Sequence, residues 1–152
     1  FNPVKHFANS GNPLLGICAG MQILFESSEE GNELGLALVK GSFKKINFHN
    51  KDLVVPNMGW NRIKLQKSNH LFPEDNFDYR FYFAHSYGLF NCEEEIKIAT
   101  IEYGEEIVCA IQKENIFGLQ FHPEKSHKYG IDIFKNGIIN TVKEIYDKLN
   151  WW

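Results

Sequence analysis

The chain has 152 residues, 43% of them apolar, enough for one core and a single domain over 1–152. A formal net charge of −3 with no basic run longer than a pair excludes a nucleic-acid footprint, and the apolar runs are too short to span a bilayer. Cys18, Cys92 and Cys109 lack CxxC spacing and no charged-then-apolar leader is seen, so a cytoplasmic protein without disulfide framework or metal site is expected.

Phe1, Val4, Phe7 and Ala8 are spaced like one face of a helix, which the turn cluster Asn9-Ser10-Gly11-Asn12-Pro13 ends. An apolar strand over 14–17 stops at Cys18, and helix formers fill 19–26. A polar loop at 27–32 leads to a short apolar stretch at 34–39. From 43 to 111 the pattern is short strands with frequent turn residues: 43–48, 53–55, 60–65, 79–85, 96–101 and 107–112. Lys113-Glu114-Asn115 connects tightly into a strand at 116–121. A final helix is predicted over 131–149, with Ile131, Phe134, Ile138, Val142, Ile145 and Leu149 as its apolar stripe. The expected class is α/β, a doubly wound, mostly parallel sheet with an antiparallel insertion.

Two segments carry chemistry. In PLLGICAGMQ (13–22), Gly16 and Gly20 flank Cys18 as small residues flank the nucleophile of a strand-to-helix elbow. The thiol there faces the start of the next helix, whose dipole favours a thiolate, and the Ala19 N–H is placed as an oxyanion donor. In GLQFHPEKS (118–126), His122 and Glu124 are two apart and point the same way on an extended chain. A carboxylate so placed holds the imidazole tautomer while the imidazole takes a proton from a thiol. Cys18, His122 and Glu124 therefore read as nucleophile, base and orienter. His85 competes as a base at another strand end, but Tyr87 stands where its carboxylate would be. His127 follows the motif as a surface residue, and His6, His49 and His70 carry no assignment.

These segments resemble the active-site motifs of class I glutamine amidotransferases. Together with LLGICAGMQILFESSEEG (14–31), VPNMGWNRI (55–63), FYFAHSYG (81–88) and AIQKENIFGLQFHPEKS (110–126), the chain is similar from about 14 to 148 to the glutaminase subunits of imidazole glycerol phosphate synthase. The resemblance implies hydrolysis of glutamine without metal or organic cofactor. It implies ammonia passed to a (β/α)₈-barrel cyclase in a heterodimer of histidine biosynthesis. It implies Gln22, Glu30, Ser86 and Tyr87 as glutamine-contacting positions, with an amide on the helix surface the alternative for Gln22 and a solvated charge the alternative for Glu30. It implies partner docking through Pro56, Asn57, Met58, Trp60 and Asn61, with Lys125 at the mouth facing the cyclase; a core tryptophan is the alternative at Trp60.

The resemblance leaves open which acceptor receives the ammonia, whether the chain is a non-catalytic binding subunit, and whether it is another cysteine hydrolase such as a peptidase. A doubly wound nucleophile normally follows at least two βα units of roughly 30 residues each, and only 17 residues precede Cys18. Compared with the family it resembles, the chain is expected to lack the first βα units and the loop carrying a Pro-Gly-rich oxyanion segment.

Overall fold

The computed structural model describes residues 2–47, 52–69, 71–72 and 77–148. Phe1, Phe48, His49, His70 and Leu149 lie outside the described residues. Helix α1 (Asn2–Asn9) precedes strand β1 (Leu14–Ile17), and helix α2 (Ala19–Leu24) leaves the elbow at Cys18. Short strands β2 (Ser27–Ser28), β3 (Ser42–Lys45), β4 (Asn57–Arg62), β5 (Lys64–Leu65), β6 (Arg80–His85) and β7 (Tyr87–Gly88) follow. Then come the longer β8 (Lys97–Tyr103), β9 (Glu105–Lys113) and β10 (Ile116–Leu119), and helices α3 (His127–Asp132) and α4 (Ile139–Lys148).

The main sheet runs β1-β10-β9-β8-β5, beside a β2-β3-β7 sheet and a β4-β6 pair. The α/β class is as expected, with less parallel pairing than the sequence suggests: among the described strands only β1 with β10 and β2 with β3 run parallel. The rest pair antiparallel.

Side-chain alternation makes this sheet a two-faced wall. On β10, Phe117 and Leu119 join an aromatic cluster with Phe72, Phe81, Phe83 and Phe121, while Ile116 faces Met21, Leu24, Phe25 and Phe43 on the other side. Central β9 is buried from Ile107 through Ile111, as a strand covered on both faces must be. The aromatic cluster is tight: the Phe81 and Phe121 rings stack with centroids 4.0 Å apart. It lies directly behind the strand ends that carry the chemistry.

Three expected elements differ. No strand forms at 53–55, where Val55-Pro56 is a cis bond opening into β4. The apolar stretch at 34–39 stays irregular because its N–H groups are spent on α2: Leu36 donates to the Ile23 carbonyl, and Leu38 and Val39 to that of Leu24. The final helix is interrupted by a π-helical segment, Ile133–Ile138. Its wider turn swings the inward face to Gly130, Ile133, Gly137 and Thr141, and leaves Ile131 and Phe134 of the predicted stripe exposed. No described helix is long and apolar enough to cross a membrane.

Candidate active site

The elbow is built by close backbone approach. A Cβ on Gly16 would stand 2.5 Å from the Gly20 carbonyl oxygen, so only glycine lets α2 fold back over β1. A Cβ on Gly20 would meet nothing within 4 Å. Cys18 takes φ 53 and ψ −112, a sparsely populated backbone state for a residue with a side chain. Its own N–H donates to the Leu119 carbonyl at 2.8 Å, extending the parallel β1–β10 register by one step. Nucleophile candidate and the end of β10 are thereby locked side by side.

Beyond β10 the chain bends at Gln120 and Phe121 before His122. The His122 N–H donates to the Tyr82 carbonyl of β6 at 2.9 Å. Buried Ser126 clamps the next turn, its hydroxyl donating to the His122 carbonyl at 2.6 Å and accepting the Tyr82 N–H at 3.0 Å. The His122 Nδ1–H donates to Glu124 Oε1 at 2.7 Å, which leaves Nε2 to exchange a proton. The imidazole is mostly buried and the carboxylate half exposed. Glu30, Glu124 and Lys125 all act electrostatically on the Cys18 sulfur, so the carboxylate paired with His122 lies within electrostatic reach of the thiol.

Burial is the largest influence on that sulfur and pushes the Cys18 thiol up; the Ala19 N–H pulls it down, Glu30 and Glu124 push it up, and Lys125 pulls it down. The expectation that the helix start leaves a thiolate is corrected here. Desolvation outweighs the dipole of a six-residue helix, so the resting form is the thiol. Sγ lies 3.8 Å from the Ala84 carbonyl of β6 and 3.8 Å from Nε2 of Gln120.

A cleft of about 310 Å³ opens from Ala19 and is lined by Gln22, Ser28, Glu30, Gly31, Leu34 and their neighbours. Gln22 is a buried amide, not a surface one: its Oε1 accepts from the Ser28 hydroxyl at 2.7 Å, and that hydroxyl also accepts the Glu30 N–H at 3.2 Å. The Glu30 carboxylate is exposed at the rim. Ser86 and Tyr87 do not line this cleft. Their carbonyls are committed inside the fold, Ser86 to Ile46 N–H and Tyr87 to His85 Nδ1–H.

His85 is not a free base. It is buried, its Nδ1–H donates to the Tyr87 carbonyl at 2.8 Å, and its Nε2 accepts from Asn57 Nδ2 at 3.1 Å. Asn61 in turn donates to Asn57 Oδ1 at 3.2 Å. That relay holds His85 neutral, and burial lowers its pKa, with the charge on His122 acting the same way. Asn57 therefore leaves the expected docking set: it is 2% exposed and part of the interior. Met58 and Trp60 alternate with it onto the outer face of β4, at 64% and 46% exposure. Pro56 and Lys125 are also exposed, and Asn61 is half-buried. Trp60 stacks on His127, ring centroids 5.6 Å apart, and meets Tyr82 edge-on.

Ser28, Ser126 and Gln120 were not singled out from the sequence. Gln120 had a legible signal, being two residues before His122 and four before Glu124 in the sequence.

The class I glutamine amidotransferase family model matches residues 1–141. The chain belongs to that family. As a class I amidotransferase chain it is 45% identical over 131 residues to the imidazole glycerol phosphate synthase subunit HisH of Leptospira borgpetersenii, covering 84% of this chain and 64% of that protein. To the same-named protein of Leptospira interrogans it is 47% identical over 127 residues, covering 82% and 62%. The amidotransferase chain thus spans less than two thirds of the length of these relatives. Its fold is also that of a glutamine amidotransferase from Thermotoga maritima, with TM-score 0.58 at 19% identity, covering 98% of this chain and 54% of that one.

Two outcomes follow. Gly16→Ala is expected to destabilise by about 1–3 kcal/mol through overpacking, while Gly20→Ala is neutral or stabilising by up to ~1 kcal/mol; urea unfolding of both compares them, and equal midpoints would contradict the elbow geometry. For His85 the sign is set by its lowered folded pKa. The unfolded chain takes up a proton near pH 6.5 and the native one only at lower pH, so the contribution to stability is present above about pH 6.5 and lost below it. Melting temperature should fall more steeply from about pH 7 to 5 in the wild type than in His85→Gln. Parallel curves would mean His85 does not titrate as its burial requires.

Proposed function

We propose that this chain is a glutaminase that hydrolyses glutamine to glutamate and ammonia and passes the ammonia to a cyclase partner, as part of an imidazole glycerol phosphate synthase. The observation that carries the reading is the strained Cys18 elbow locked against the strand end that bears the His122–Glu124 pair. The names of the relatives support the pathway: they are HisH subunits of that synthase.

Cys18 attacks the side-chain carbonyl carbon of glutamine while His122 Nε2 takes the thiol proton. Burial favours the thiol at rest, so the attack needs His122 as base. The Ala19 N–H donates to the oxyanion. Collapse returns the proton to the leaving ammonia, and water, activated by the same imidazole, cleaves the thioester. Glu124 steadies the imidazolium through the 2.7 Å hydrogen bond to Nδ1–H. Gln22 and Glu30, lining the cleft from Ala19, suit the α-amino end of the substrate. The ammonia-accepting partner is a (β/α)₈-barrel cyclase in a cytoplasmic heterodimer, the pair together performing a lyase reaction. Pro56, Met58, Trp60, Asn61 and Lys125 form the docking face toward it.

Glutamate release should be measured with glutamine present, with and without a histidine-pathway cyclase. Cys18→Ala is expected to abolish it and leave cyclase binding intact, His122→Ala to do likewise, and Glu124→Gln to be milder than either. Retained turnover in Cys18→Ala would remove Cys18 as nucleophile. Trp60→Ala is expected to weaken cyclase association by about 2 kcal/mol or more in calorimetric titration. Unchanged affinity with a lower melting temperature would make Trp60 a packing residue only.

A further inference from the structure

The mechanism above leaves one side chain at the sulfur without a role. Gln120 is fully buried, at the position that the β1–β10 register sets beside Cys18. Its Nε2 lies 3.8 Å from Sγ, while its Oε1 is buried with no hydrogen-bond partner. An orphaned buried amide oxygen costs stability that an apolar side chain of similar shape would avoid. The compensation is on the nitrogen end, and the sulfur is the atom it meets.

The contact discriminates between the two states of Cys18. In the thiol, the S–H points toward the Ala84 carbonyl of β6, 3.8 Å away. Once that proton has left, the carbonyl oxygen faces a negative sulfur and opposes it. The Ala19 N–H and the Gln120 amide are then the neutral donors on the favourable side. A hydrogen bond from a neutral amide strengthens when its acceptor becomes an anion, so Gln120 favours the charged sulfur more than the neutral one.

We propose that Gln120 is a further catalytic group, its Nε2–H donating to the Cys18 sulfur and holding the negative charge that passes through it. This rests on the reading of Cys18 as the nucleophile. In acylation the Sγ proton moves to His122 Nε2, a sulfur electron pair forms the S–C bond, and the C–N pair departs as ammonia with the proton from His122. In deacylation water attacks the thioester carbon and gives a proton to His122. The S–C pair returns to sulfur, where Gln120 receives it before the proton is restored. The charged and titratable groups around the sulfur are Glu30 from the loop after β2, His122, Glu124 and Lys125 from the segment after β10, and His85 at the end of β6 beside Ala84.

The test compares wild type with Gln120→Leu and Gln120→Met. Iodoacetamide alkylation is followed at the Cys18 peptide by mass spectrometry from about pH 6 to 10, alongside thermal melting and glutamine turnover with the cyclase present. Expected are about tenfold slower alkylation near neutral pH and a profile displaced to the alkaline side. A matching fall in kcat with KM retained is expected too, and a melting temperature equal to or above that of the wild type. An alkylation profile that superimposes on the wild type in a folded variant overturns the proposal. So does unfolding of both variants, which would make the amide structural. Wild type that fails to hydrolyse glutamine, with a displaced alkylation profile in the variants, removes the glutaminase reading and the catalytic role with it. Wild type that hydrolyses glutamine, with no displacement, removes only the role of Gln120.

Discussion

The single hydrogen bond from the Cys18 N–H to the Leu119 carbonyl organises the site. It continues the parallel pairing of Leu14–Ile17 with Ile116–Leu119, joining segments about a hundred residues apart in sequence. A register error of one residue would turn every side chain on β10 to the opposite face. Phe117 and Leu119 would leave the aromatic cluster, so the core polices the register and the register sets Gln120 beside Cys18. Gly16 is the complementary demand at the elbow, where backbone meets backbone. Core packing and site geometry are one constraint seen from two sides.

Electrostatically, the site is arranged against early ionisation of its cysteine. Partial burial and two nearby carboxylates, Glu30 and Glu124, outweigh the Ala19 N–H and Lys125. Each carboxylate has a positive use elsewhere, Glu124 on the imidazole and Glu30 at the cleft rim. Their cost to the thiolate is therefore a by-product of those uses. A buried thiol is also slower to oxidise and to react with adventitious electrophiles than a standing thiolate.

Much of this was legible in the sequence because it follows local rules. The strand over 14–17, the elbow, the hairpin from β9 to β10 and the two-residue spacing of His122 and Glu124 are all periodicity or turn chemistry. What was not legible depends on partners distant in sequence. Nothing local says that Gln22 is buried under Ser28, that His85 is held neutral by Asn57 and Tyr87, or that desolvation beats the helix start at Cys18. The strand expected at 53–55 failed because apolar residues before a proline read as a strand and fold here as the approach to a cis bond. The last helix failed in detail because glycines at 130 and 137 allow the backbone to press against Pro123 and Leu71, and a π segment absorbs the difference.

Strand β4 shows why the docking segment could only be half read. Its residues alternate, so Met58, Trp60 and Arg62 face out while Asn57 and Asn61 face in. Met58 and Trp60 of the outward set put apolar and aromatic groups at the surface, beside His127 and one turn from Lys125. The inward set is polar where the surroundings are dry, and is tolerated only because Asn61 donates to Asn57, Asn57 to His85, and His85 to the Tyr87 carbonyl, all in one direction. Protonating His85 would place two donors head to head at Asn57, so the relay and the neutral imidazole require each other. His85 ends β6 next to Ala84, whose carbonyl meets the Cys18 sulfur. The same strand pair thus presents an apolar face to the outside and fixes, through its buried amides, the wall against which the nucleophile rests.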